Sequence, residues 1–129
     1  MSYNLFLDDI RQPEQAAHYM PTSMCAIYLI EKWVVVRNYG QFVRCIRKKG
    51  MPDMISFDHD LAKTHYDPRT WKQGFVYEEK TGLDCAKWLI DHCIDKKLTM
   101  PLTHVHSQNP VGRKNIETII QNFKKIYYG

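Results

Sequence analysis

Three apolar runs in this chain each stop in groups that bind cations or move protons. Asn4-Leu5-Phe6-Leu7 runs into Asp8-Asp9, Met54 to Phe57 into Asp58-His59-Asp60, and Leu102 to Val105 into His106-Ser107. Carboxylates crowded into one crevice repel one another and stay ionised only where a cation, a basic side chain or solvent compensates them. Asp8, Asp9 and Asp58 are therefore expected to hold a divalent metal ion, Mg²⁺ being the natural choice, because it takes few protein carboxylates and keeps waters for a phosphate. His106, beside a hydroxyl and a helix start, is expected to act as general acid or base. Asp58 and Asp60 complete the expected catalytic set, Asp60 by orienting a histidine.

The stretch after His106 adds a place for the phosphate. Asn109-Pro110-Val111-Gly112-Arg113 reads as a helix start, whose first-turn N–H groups can meet an anion. Ser107, Asn109, Gly112 and Arg113 are the expected phosphate-binding residues. His104 shares a strand face with His106, a weak pattern for zinc. His59 is expected to point away from Asp58 and Asp60 if the strand stays extended, as a packed or surface residue.

For these groups to meet, their strands must lie side by side. Asn4–Leu7 and Met54–Phe57 are short and apolar throughout, as strands buried on both faces are. Trp33 to Arg37 is a further β-branched strand, and Met24 to Ile30 is also read as strand, with Glu31-Lys32 as a bend between the two. Tyr39 to Lys49 carries Phe42, Val43 and Ile46 at helical spacing and stops at Gly50. Thr81, with Asp84 three residues on, caps a helix lined by Leu83, Ala86, Leu89, Ile90, Cys93 and Ile94. Ile116, Ile119, Ile120 and Phe123 line a last helix. Residues 11–20 read as a weakly helical connector, and 63–80 as a long loop with a small extra strand at Gly74 to Tyr77. Strands alternating with helices predict a doubly wound α/β sandwich with a mostly parallel four-stranded sheet in the order 2-1-3-4, with short additional strands from the insertions.

At 129 residues the chain is expected to form one domain, residues 1–129. A formal charge of +4 is too mild to mark a nucleic-acid binder, and Arg44, Arg47, Lys48 and Lys49 read as a solvated helix face. The four cysteines form no C-x-x-C pair, and Cys85 and Cys93, eight apart, are both expected to face the core. No apolar stretch reaches the roughly 20 residues that span a bilayer, and no secretory segment opens the chain, so a cytoplasmic protein without a membrane partner is expected.

The blocks LFLDDIRQP, ISFDHDL, TGLDCAKWL and HSQNPVGRKNI, with WVVVRNY, resemble the cyclic-phosphate processing receiver domains, in that family's order and over about half the chain. The resemblance implies a receiver-like (flavodoxin-like) fold without the signalling role. It also implies a hydrolase acting on a 2′,3′-cyclic RNA end, as in RNA repair, or on a cyclic nucleotide. Its motif falls on Asp8, Asp9, Arg11, Asp58, His59, Asp60, His106, Ser107, Asn109 and Gly112, which adds Arg11 to the expected phosphate-binding residues. His104 lies outside it, and the segments 14–32 and 63–80 look like insertions. Three other functions compete: a phosphate- or nucleotide-binding module without catalysis, a phosphatase using Asp58 and Asp60 as a D-x-D signature, and a phosphorylated signalling receiver. The first-strand position usual for that D-x-D and the missing Lys-Pro strand weigh against the last two.

Overall fold

The structure, a computed structural model, describes residues 2–61 and 80–128. Its strands are β1 (Asn4–Leu7), β2 (Trp33–Val36), β3 (Met54–Phe57) and β4 (Leu102–Val105). They form one all-parallel sheet in the order β2-β1-β3-β4, as the alternation of strands and helices predicts. The helices are α1 (Pro13–Ala17), α2 (Thr22–Ile30), α3 (Tyr39–Lys49), α4 (Gly82–Lys96) and α5 (Pro110–Tyr128). Among the described residues no helix is long and apolar enough to cross a membrane.

Two apolar layers cover the sheet, and the strand pleat divides residues between them. On one face Leu5, Leu7, Ile55, Phe57 and Val105 pack against Phe42 and Ile46 of α3, Leu89 and Cys93 of α4, and Ile116, Ile120 and Phe123 of α5. Most of the expected stripe residues of these helices thus form or flank the main core, Ile94 being exposed instead, and Cys85 and Cys93 lie within it as free thiols. On the other face a smaller cluster joins Phe6 to Ala16 of α1 and Tyr28 of α2, flanked by Trp33 and Val35.

That second cover corrects one expectation: residues 24–30 are helix rather than strand. The β-branched and aromatic content of Cys25 to Ile30 suits a strand, yet its only edge position beside β1 is held by Trp33–Val36. Tertiary packing therefore overrides a weak propensity, and Tyr28 is the residue that α2 buries. Within 14–32 the described structure thus contains helices and no strand. The expected strand at residues 74–77 and nearly all of the 63–80 loop lie outside the described residues.

Local chemistry fixes the helix starts that flank the sheet's carboxyl edge. Asn38 caps α3, its Oδ1 accepting the Gln41 N–H at 2.9 Å. Thr81 and Asp84 form the expected capping box: the Thr81 N–H donates to Asp84 Oδ2 at 2.8 Å, and the Asp84 N–H to Thr81 Oγ1 at 3.4 Å. Next to Thr81, the Gly82 N–H donates to the His59 carbonyl at 2.7 Å, drawing the start of α4 hard against the residues after β3. A Cβ on Gly82 would collide with the Asp58 carbonyl oxygen, a backbone atom that cannot swing aside. Gly82→Ala is expected to destabilise the protein by about 1–3 kcal/mol through this overpacking, read as a lower urea midpoint. An unchanged midpoint would mean that α4 does not dock this closely.

Candidate functional site

The ladder continues one residue beyond each strand. The Asp8 N–H donates to the Val36 carbonyl at 3.1 Å, the Asp58 N–H to Leu7 at 2.9 Å and the His106 N–H to Phe57 at 2.9 Å. Leu7, Phe57 and Val105 are register partners, so Asp8, Asp58 and His106 follow them side by side at the carboxyl edge. Alternation gives the three side chains the face of Phe6 and Ser56, beneath α1 and α2. One ligand atom from each comes within 4.8 Å of the others, and all three residues are buried.

The protons in this cluster can be assigned. The Asp8 carboxylate accepts the Ile10 and Arg11 N–H groups at 3.0 and 2.8 Å, and His106 Nε2 lies 3.0 Å from its other oxygen. Burial would raise the Asp8 pKa, but the hydrogen bond from His106 and the two backbone donors outweigh it and bring it down to about 2. Burial also holds His106 below the usual imidazole range, partly offset by Asp8. An ionised Asp8 can only accept, so the neutral imidazole carries its proton on Nε2 and its lone pair on Nδ1. Ser56 Oγ then donates to Nδ1 at 2.7 Å and accepts from the Tyr28 hydroxyl at 2.6 Å. Phe6 stacks on the imidazole at a centroid distance of 4.3 Å and completes its enclosure.

Asp58 has less compensation. Its Oδ1 accepts the His59 N–H at 2.9 Å, and the Arg11 guanidinium reaches its Oδ2 only at 4.0 Å, against 3.5 Å to Asp8. Burial first, and the charge of Asp8 second, push the Asp58 pKa up to about 7. Arg11 is itself held by Gln108 Oε1 at 2.9 Å, and Arg37 donates to the carbonyls of Asp8 and Arg11 at 3.1 and 2.7 Å, pinning the loop that carries them. The carboxylate oxygens of Asp8 and Asp58 have the donor chemistry of a hard divalent cation. Asp58 is the group short of positive charge.

The remaining expected residues take several positions. Asp9 is half-buried and outside the three-residue cluster, though its charge acts on Asp58. His106 stands in the cluster where Asp9 was expected, because adjacent residues of an extended chain face opposite ways. His106 also does not face solvent as a general acid would: it is fully buried, with both ring nitrogens engaged. His59 turns toward Asp60, its Nδ1 lying 2.8 Å from Asp60 Oδ1, and Asn109 Nδ2 reaches the same carboxylate at 3.3 Å. A Cβ on Gly112 would strike the His59 ring, so glycine there makes room for it.

The helix start offers an anion less than expected. Pro110 has no N–H, and the Gly112 N–H is taken by Asn109 Oδ1 at 3.1 Å. Ser107 is buried, with its Oγ accepting the Asn109 N–H at 3.1 Å, and Arg113 is exposed and paired with Glu117 at 2.8 Å. His104 is half-buried on β4, in a cavity that Met20, Pro21 and Met24 line together with residues of α5. Sequence reasoning missed Ser56, Tyr28 and Arg37. For Ser56 a signal existed, a lone hydroxyl inside an otherwise apolar buried strand.

Asp58 sets the sign of a pH dependence. Its folded pKa of about 7 exceeds the ordinary 3.8, so between these values the folded state keeps a proton that the unfolded state releases. Stability should fall as pH rises from about 4 to about 7, by roughly 2–4 kcal/mol. Asp8 works in the opposite sense and only below pH 4, its stabilisation being lost as pH falls toward about 2. Asp58→Asn should flatten the pH 5–8 part of a stability profile and be the more stable protein at pH 8; parallel profiles would show that the carboxylate is not strained by burial.

Comparison with curated proteins and with solved structures finds no match to the chain. The family model described as cyclic-phosphate processing receiver domain matches residues 3–122, which include both carboxylates of the cluster, its histidine and most of every described element. Fold and sequence agree, and the chain belongs to the cyclic-phosphate processing receiver domain family.

Proposed function

We propose that the chain is a metal-assisted phosphoesterase that opens a cyclic phosphate, either a 2′,3′-cyclic RNA end or a cyclic nucleotide. The observation that carries this reading is the convergence of buried Asp8, Asp58 and His106 on one rung of the sheet in a member of this family. Asp8 and Asp58 would hold the divalent ion, Mg²⁺ by donor type, with Asp9 adding negative charge nearby. Bound there, the ion would neutralise phosphate charge and polarise the ester.

The chain's own groups divide the remaining work. Arg11, set across both carboxylates, is the cation that can turn to a phosphate oxygen when a ligand and metal enter. His106 acts as a positioning residue: its Nε2–H fixes one Asp8 oxygen, and Ser56 and Tyr28 fix the ring. This buried support replaces the general-acid role expected for it. His59 reaches solvent at the rim, and Asp60, accepting from Nδ1, leaves the lone pair of the neutral ring on Nε2. That atom can take a proton from the attacking water and return one to the leaving ribose oxygen. One P–O bond forms to water and one ring P–O bond breaks, giving a phosphate monoester.

Arg11 already neutralises part of the cluster without a metal, which favours a second reading as a module that binds a phosphorylated ligand unchanged. Assays over 2′,3′-cyclic and 3′,5′-cyclic nucleotides and cyclic-ended RNA separate the two. Turnover with Mg²⁺, its loss in EDTA, and a fall of at least about 100-fold in Asp58→Asn are expected. Tight binding without product on any substrate would favour the module; a folded protein that neither binds nor reacts would overturn both.

A further inference from the structure

Tyr19, in the turn between α1 and α2, lies outside every motif read from the sequence, and its hydroxyl is anomalous. The oxygen is buried and, among the described residues, has no hydrogen-bond partner. A buried hydroxyl left unpaired is destabilising, and such groups in folded proteins usually have a ligand or water to meet. The ring lies beneath Arg11, whose guanidinium carbon is 5.4 Å from its centroid, and the same guanidinium reaches Asp8 at 3.5 Å and Asp58 at 4.0 Å. Tyr19 also forms one wall of a cavity of about 670 Å³ whose opposite wall carries Ser107, Gln108, Arg113 and Lys114. The Tyr19 ring therefore stands between this cavity, where Glu117 accompanies the two basic residues, and the acidic cluster that Arg11 spans.

We propose that Tyr19 is a ligand-binding residue of this site, its hydroxyl donating a hydrogen bond to a phosphate oxygen of an ester seated beside Arg11, Asp8 and Asp58. The assignment rests on the phosphate-ester reading of the site. Burial pushes the Tyr19 pKa up to about 12, so the hydroxyl keeps its proton and remains a donor at neutral pH. A bound phosphate supplies the acceptor that the protein does not. The remainder of the ester lies in the cavity between Tyr19 and the start of α5, where Lys114, and Arg113 beside its partner Glu117, line the wall.

The test is Tyr19→Phe, which removes the oxygen and keeps the ring under Arg11. Thermal melts without ligand are paired with titration of inorganic phosphate in Mg²⁺ and with steady-state kinetics on 2′,3′-cyclic AMP. The variant should melt at the same or a higher temperature, while its phosphate Kd and its KM rise at least about tenfold. A lower melting temperature assigns the hydroxyl to holding the fold and overturns the proposal. Unchanged phosphate affinity and KM, with wild type binding well, also overturn it and leave the phosphoesterase reading standing. A wild-type protein with no affinity for phosphate or the cyclic nucleotide overturns both.

Discussion

Everything at this site depends on the parallel ladder running one residue past the end of each strand. The backbone amides of Asp8, Asp58 and His106 are the last donors of the sheet, held by Val36, Leu7 and Phe57. A parallel register thus does what a set of loops could do only with added hydrogen bonds: it sets three polar side chains in one row and on one face. A slip of one residue in β1 or β3 would turn Asp8 or Asp58 toward the main core and turn Leu5 and Leu7, or Ile55 and Phe57, out of it. The apolar pattern that forbids the slip is therefore also what aims the carboxylates.

Burial then gives the two carboxylates opposite characters. Asp8 is saturated with donors, from two backbone amides and from His106, and stays ionised in the interior. Asp58, a strand spacing away, has one backbone donor and a distant guanidinium, and holds its proton to about neutrality. Two acids made unequal by their surroundings form a site with one fixed charge and one that a cation can draw out. His106 belongs to the fixed side, since its ring is spent on Asp8 and Ser56.

Much of this was legible in the residues, and the exceptions share a cause. Short apolar runs ending in acids or a histidine marked three of the four strands and the places of Asp8 and Asp58, because strand period and burial are local properties of sequence; the strand order came from the fold class. The capping box at Thr81 was legible for the same reason. The helix at Thr22–Ile30 was not, because what excludes a strand there is β2 already lying beside β1. The burial of His106 was hidden by the same error: its cover, Tyr28, comes from that helix. The weakness of the phosphate cradle was partly readable, since Pro110 lacks an N–H, but the capture of the Gly112 amide by Asn109 is a matter of rotamer.

The α1–α2 layer is thus more than an insertion beside a receiver-like core. It closes the sheet face on which the cluster lies, supplies Tyr28 to the hydroxyl chain behind His106, and places Tyr19 under Arg11. Its own apolar cluster is small, three buried residues against eighteen on the opposite face among the described residues. The floor of the site therefore rests on the strongly packed sheet, while the wall proposed to meet a ligand rests on the weaker layer. Such a division lets the wall change without disturbing the carboxylates proposed to hold a metal, which is how a fold used for one ligand is adapted to another. Selection among cyclic phosphates should accordingly be sought in residues 19–20 and the start of α5, whose facing side chains form the cavity, rather than in the strand ends that all its ligands would share.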